Sequence, residues 1–208
     1  MIDLYAADTP NGKKISIMLE EINLPYKVIP VNLSEGEQFK EDFVKMSPFS
    51  KIPVIKDSDN NKSVFGSGAI LIYLAEKTKK FYHRENKINI DQWLMAQMGL
   101  VGPLIGAYHS FYRFNKGKSK YGEERYFKIT KDLYQRLNDR LSVSKYLAGE
   151  EYTIADIATW PWIARHQWHD IGLKNFKQLT KWYLNIADRE AVKKGYEFMK
   201  QGDKIPLP

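Results

Sequence analysis

Apolar and polar positions change rhythm along this chain. Ile2 to Ala7 form a short apolar run that breaks at Asp8-Thr9-Pro10-Asn11-Gly12. Ile15, Met18, Leu19 and Ile22 then recur at helical spacing until Pro25 stops the pattern. A strand followed by a helix is expected, with Thr9 as N-cap and Pro10 as the first helical residue. Tyr26 to Val31 reads as a second strand, Phe39 to Met46 as a short helix with Phe39, Phe43 and Met46 on one face, and Val54 to Lys56 as a third strand. Asp57-Ser58-Asp59-Asn60-Asn61 is a turn that joins it to Ser63 to Phe65 as a hairpin. From Ser67 a helix runs to about Thr78. The order is βαβαββα.

Past the polar stretch Lys79 to Asn89 the period-2 signal vanishes. Helical patterns cover Ile90 to about Asn115, Gly122 to Leu141, Thr153 to about Asp170, and Lys174 to about Lys200 with a break near Ala187-Asp188. The reading is an α/β domain over residues 1–80, a linker at 81–88 and an all-α domain over 89–208. Gly99, Gly102 and Gly106 beside Pro103 suit close helix packing and a kink. Thr153-Ile154-Ala155-Asp156 has the spacing of a capping box, which assigns Asp156 to folding.

Composition removes many chemistries. Among 208 residues there is no Cys, so disulfides, thiolate metal sites and Cys nucleophiles are absent. The start of the chain has neither a basic nor an apolar leader segment, and no run approaches the roughly 18 apolar residues of a membrane span, so a soluble, cytoplasmic protein is expected. The net charge of +7 comes entirely from residues 81–208, since residues 1–80 carry 11 Lys and 11 acidic side chains. The second-half cations are spread along helical patterns, which describes a solvated face rather than a nucleic-acid footprint. No phosphate loop, H-E-x-x-H, G-x-S-x-G or G-x-G-x-x-G motif occurs. His166 and His169 stand three apart on a helical pattern but lack an evident third ligand, so no metal is expected. His83 and His109 read as structural or surface residues.

Three turns remain. Thr9-Pro10-Asn11-Gly12 places a hydroxyl and an amide at a helix N-terminus, where backbone N–H groups favour an anion such as a thiolate. Gly66-Ser67-Gly68 offers a second helix start suited to a carboxylate. Between them lies Lys51-Ile52-Pro53, whose X-Pro bond suits a cis form. Singly, each turn is also explained by capping and turn chemistry.

Taken together, the order of elements and turns resembles the glutathione transferase superfamily over the whole chain. The resemblance is sharpest to its nu-class bacterial branch, the glutathione-dependent disulfide-bond oxidoreductases. It is carried by Asp3-Leu4-Tyr5, Thr9-Pro10-Asn11-Gly12-Lys13-Lys14, Leu19-Glu20-Glu21, Gln38-Phe39, Lys51-Ile52-Pro53, Ser67-Gly68-Ala69-Ile70, Gln97-Met98-Gly99, Gly102-Pro103, Glu124-Arg125-Tyr126 and Ile154-Ala155-Asp156-Ile157. The resemblance implies a thioredoxin-like glutathione-binding domain, an all-helical second domain and a homodimer. It implies that Thr9 and Asn11 lie against the glutathione sulfur, that Gln38 and Lys51 meet the glycyl end, and that Ile52 pairs its backbone with the cysteinyl unit ahead of a cis Pro53. Ser67 would hold the γ-glutamyl carboxylate, and Arg125 would reach in from the neighbouring subunit. Position 66 departs from the family, which usually carries Glu or Gln there beside the γ-glutamyl amine; Gly66 keeps the N–H and loses the side chain.

The implied activity is disulfide reduction with glutathione as cosubstrate. Its rivals are conjugation of glutathione to electrophiles, with Tyr108, Phe111, Tyr112 and Trp162 as pocket aromatics, and a non-catalytic binding role on the same fold. Tyr5 competes with Thr9 and Asn11 as activator, because other classes use a first-strand tyrosine.

Overall fold

The computed structural model describes all residues from Met1 to Pro208. The chain forms two compact units. One comprises Met1–His83 with Asp188–Lys204, the other Arg84–Ala187 with Ile205–Pro208. No helix is long and apolar enough to cross a membrane.

In the first unit β1 (Ile2–Ala6), α1 (Pro10–Ile22), β2 (Tyr26–Pro30), α2 (Glu41–Met46), β3 (Val54–Asp57), β4 (Lys62–Phe65) and α3 (Ser67–Thr78) follow in the expected order. The strands make one sheet in the order β2-β1-β3-β4, with β1 parallel to β2 and antiparallel to β3, and β3 antiparallel to β4. Ile2, Leu4 and Ala6 are fully buried at alternate positions of β1, and the consecutive Val54 and Ile55 bury both faces of β3 at its start. α1 packs against α3 and buries Ile15, Met18 and Leu19, while α3 buries Ile70, Leu71 and Leu74. A second apolar cluster of Val31, Phe43 and Val54 takes Tyr5, Met46 and Ile52 against it.

One expected helix is shorter. Phe39 is 68% exposed at the end of a 3-10 turn, Glu37–Phe39, and does not share a buried face with Phe43. Lys40 is extended there (φ −61°, ψ 141°), so the helical phase restarts at Glu41.

After a break at Asp188-Arg189, α9 (Glu190–Tyr196) belongs to the first unit and packs on α1. A Cβ on Gly195 would lie 2.6 Å from Ile17 backbone atoms, so only glycine permits this approach. Ser16 Oγ donates to Gly195 O at 2.6 Å, and Arg189 grips Glu21 through two hydrogen bonds of 2.6 and 2.7 Å. The buried Lys13 ammonium donates to Tyr196 O, lies 3.7 Å from the centre of its ring and pairs with Asp203 and Asp8 at 3.1 Å each.

The second unit is helical: α4 (Lys87–Ala96), α5 (Gly102–Tyr108), α6 (Lys120–Val143), α7 (Ile154–Ile163) and α8 (Lys177–Ala187). The stretch from α4 to α5 is interrupted by a π-helical turn at Gln97–Val101, which ends two residues before Pro103, whose missing N–H breaks the regular ladder. Positions 102 and 106 let the Trp162 ring approach to within 3.4 Å of where a Cβ would stand. α7 ends at Ile163 rather than near Asp170, two residues after the internal Pro161, and a 3-10 turn, His166–Trp168, follows.

The two histidines weighed as a metal pair take separate partners. His166 Nε2 lies 3.3 Å from Pro206 O, whereas His169 joins a buried chain. Tyr134 Oη is 2.6 Å from His169 Nδ1, and His169 Nε2 is 2.7 Å from His109 Nε2. Burial holds Tyr134 as the phenol, so its O–H donates to Nδ1 and His169 donates onward from Nε2. Burial, helped by nearby Arg165 and Arg113, lowers His109 to about 4, and burial likewise depresses His169. A depressed base stabilises the fold above its unfolded pKa of about 6.5, and that contribution is lost as pH falls toward 4. For His109 the loss is on the order of 3 kcal/mol. Thermal unfolding followed between pH 7 and pH 4 should therefore be shallower in a His109→Gln variant than in the wild type; parallel profiles would contradict the assignment.

Candidate functional site

Strand register brings the three turns to one end of the sheet. Tyr5 of β1 pairs with Val54 at the start of β3, Val54 pairs with Phe65 at the end of β4, and Ala6 pairs with Pro30 at the end of β2. The segments just beyond these residues, 7–12, 31–38, 51–53 and 66–67, hence leave the sheet at one edge. Thr9, Asn11, Gln38, Lys51, Ile52, Pro53, Gly66 and Ser67 all lie on them, whereas Tyr5 lies on β1 itself.

Thr9 is extended (φ −132°, ψ 160°) and caps α1, its Oγ1 accepting from Gly12 N at 3.1 Å. The Thr9 hydroxyl proton points to Ala7 O over 3.4 Å, a long bond easily exchanged for a stronger acceptor. Asn11, half-buried, sits in the same first turn, where the helix dipole and orphan N–H groups favour negative charge. Gly12 makes the turn possible. A Cβ there would stand 2.4 Å from Ala7 O.

At the second turn the fully buried Ser47 staples the loop, donating to Lys51 O at 2.8 Å and accepting from Lys51 N at 3.2 Å. The Ile52-Pro53 bond is cis, Ile52 rests on the Val31–Phe43–Val54 cluster and the Lys51 side chain is exposed. Gln38 donates weakly to Leu33 O at 3.5 Å, and its buried Oε1 has no partner. Its amide retains bonding capacity for a ligand.

At the third turn Gly66 adopts φ +82°, ψ +116°, and α3 begins at Ser67 without a side-chain cap. Ser67, 8% exposed, accepts from Lys14 Nζ at 3.3 Å. Lys14 is 1% exposed, and burial holds its ammonium well below the usual lysine range. The sequence reading passed over Lys14 as a site residue. The signal was its i, i+4 spacing to Met18 and Ile22, which puts it on the buried stripe of α1.

Tyr5 packs its ring onto the apolar cluster named above. Arg125 lies in the second unit on α6, exposed, donating to Tyr121 Oη at 3.3 Å. The aromatics weighed for an electrophile pocket are engaged in packing. Tyr108 is fully buried and donates to His169 O at 2.9 Å, Trp162 is 9% exposed, and Phe111 stacks on Tyr126.

Two family patterns match this chain: glutathione S-transferase, N-terminal domain, over residues 2–76, and glutathione S-transferase, C-terminal domain, over residues 102–190. Disulfide-bond oxidoreductase YfcG of Escherichia coli (strain K12) is 42% identical over 211 residues, covering 98% of this chain and 98% of that protein. Among solved structures, a glutathione transferase of Burkholderia graminis with two glutathione molecules bound per subunit is 34% identical, with a TM-score of 0.90 over 97% of this chain and 89% of its own. A Pseudomonas putida glutathione transferase with one glutathione disulfide bound per subunit is 35% identical, with a TM-score of 0.87 over 95% of this chain and 91% of its own.

Proposed function

The chain belongs to the glutathione S-transferase family, and from that premise we propose that it reduces disulfides by thiol–disulfide exchange, using glutathione activated at the start of α1. The observation that carries this reading is the convergence of the Thr9, Ile52-Pro53 and Ser67 turns on one edge of the sheet. The chain has no sulfur nucleophile of its own. Glutathione supplies it.

A free thiol with pKa about 8.5 is only a few per cent ionised at neutral pH, and the thiolate is the reactive form. Thr9 Oγ1–H can leave its long bond to Ala7 O and donate to the sulfur, and Asn11 adds an amide donor from within the same turn. Both favour the charged form and so lower the thiol pKa, the proton passing to solvent. The thiolate then attacks one sulfur of a disulfide R–S–S–R′, forming a glutathione mixed disulfide and expelling R′–S⁻, which takes up a proton. A second glutathione thiolate attacks the glutathione sulfur of that mixed disulfide and expels R–S⁻. Two glutathiones are oxidised to one glutathione disulfide while the substrate becomes two thiols.

Gln38 and Lys51 hold the glycyl end in this reading, the Ile52 backbone ahead of Pro53 the cysteinyl unit, and Gly66 N–H with Ser67 the γ-glutamyl end. Commitment of the Tyr5 ring to the apolar cluster supports Thr9 and Asn11 as the activating pair. We place the chain in the nu class, as a homodimer in which Arg125 serves the neighbouring subunit; its exposure supports that role. The cytoplasm, where the glutathione pool is kept reduced, is the compartment that fits the chemistry.

Glutathione-dependent reduction of hydroxyethyl disulfide tests the assignment. Each donor contributes about 1 kcal/mol, so Thr9→Ala with Asn11→Ala together should lower kcat tens of fold while glutathione binding is largely retained. Unchanged turnover in the double variant would remove both residues from the mechanism. Faster conjugation of a chloronitroarene than disulfide reduction would favour the transferase reading.

A further inference from the structure

We propose that Lys13 is a positioning residue for the thiolate site, balancing the charges of Asp8 and Asp203 beside the first turn of α1; this rests on the reading of that turn as the seat of the glutathione sulfur. The Lys13 backbone N–H donates to the carbonyl of the N-cap, Thr9 O, at 2.9 Å. A cation this near a helix start opposes the helix dipole, and a side chain only 2% exposed adds a desolvation cost. Contacts offset both. An ammonium has three donors, and around this one lie Tyr196 O, Asp8 Oδ1 and Asp203 Oδ2, with the face of the Tyr196 ring against it.

These contacts join two segments at the site. Asp8 immediately precedes Thr9, and Asp203 lies in the stretch 197–204 that follows α9 in the same unit. The Phe198 ring of that stretch is 3.1 Å from where a Cβ on Gly12 would stand, so the stretch rests on the turn that carries Thr9 and Asn11. Two carboxylates beside this turn raise the pKa of a thiol seated there, whereas the ammonium paired with both lowers it. Partly buried charges are weakly screened, so the balance is felt. The other charged groups packed along α1 are Lys14, which reaches Ser67 at the start of α3, and the Arg189–Glu21 pair at the far end of the helix. Within 197–204, Glu197 accepts from Gly202 N at 3.2 Å, and Lys200 and Lys204 are exposed. The substitutions below leave all of these unaltered.

Disulfide reduction by the wild type, and its loss in the Thr9→Ala and Asn11→Ala double variant, are measured first; failure there would overturn the functional reading, not this inference. The thiol of bound glutathione is then titrated through the ultraviolet absorbance of its thiolate. In Lys13→Met its apparent pKa should rise by about 0.5 to 1, and below that pKa kcat should fall roughly three- to tenfold and recover in alkali. Asp203→Asn removes a charge of the opposite sign, so there the thiol pKa should fall. A merely structural role would lower kcat at every pH and move both variants alike. Shifts of the same sign in the two variants, a kcat deficit independent of pH, or an unmoved pKa in Lys13→Met would overturn the proposal. If Lys13→Met does not fold, Asp203→Asn decides alone: a lower thiol pKa supports the charge balance, and an unchanged or higher one sinks it.

Discussion

Asp156→Ala is expected to destabilise the protein by about 3–5 kcal/mol, a large share of the 5–15 kcal/mol typical of a folded chain. The carboxylate is fully buried and uses both oxygens. Oδ1 accepts from Leu147 N at 3.0 Å and Trp182 Nε1 at 2.9 Å, and Oδ2 accepts from Thr153 N at 3.1 Å and Thr153 Oγ1 at 3.2 Å. Removing it orphans buried donors, each costing about 1–3 kcal/mol, and dismantles the capping box that starts α7. Asp156→Asn should fare little better, since its NH2 must face one of the two donor pairs. Urea unfolding reads the loss directly, and turnover per folded molecule should stay near the wild-type value. A midpoint shift equivalent to less than about 1 kcal/mol would contradict the prediction.

The same residue makes a signed pH prediction. Burial raises Asp156 to about 6, against the hydrogen bonds that favour its charged form. A raised carboxylate contributes stability that is fully present below the unfolded pKa of about 3.8 and is lost as pH rises through 6. This gain on acidification opposes the loss from His109 and His169 over an overlapping window. Removing Asp156 should therefore steepen the acid sensitivity of the protein as well as lower its stability at neutral pH.

The residues that sequence reading locates well are those whose signals are local. Thr9 as N-cap, the Thr153–Asp156 box and the interruption at Asp188 each depend on a few neighbouring residues, and the structure places all three as read. The misplaced features depend on distant ones. Nothing near Gly195 announces that it will lie on Ile17, and nothing near His109 announces His169, sixty positions away. Phe39 is a local failure of another kind: its apolar side chain fits the helical period, but extended Lys40 separates it from that helix. For the candidate site, the turns were legible as motifs, whereas their meeting at one sheet edge follows from strand register.

Gly66→Glu should separate affinity from stability, in opposite directions. At φ +82° a side chain strains the backbone, yet a Cβ there would meet nothing within 4 Å. The cost is conformational, about 1–3 kcal/mol, and should appear as a lower Tm without ligand. The gain is a carboxylate beside the γ-glutamyl amine, a charge-assisted hydrogen bond of about 1.5–3 kcal/mol, or roughly 10–100-fold in Kd for glutathione. Because ligand stabilises by RT ln(1 + [L]/Kd), the variant's deficit in Tm should shrink as glutathione is raised. Gly66→Gln carries the same strain without the charge and should gain less affinity. If calorimetric titration finds equal Kd values for wild type and Gly66→Glu, the γ-glutamyl amine does not sit at position 66, and the orientation of the tripeptide on this sheet edge must be redrawn.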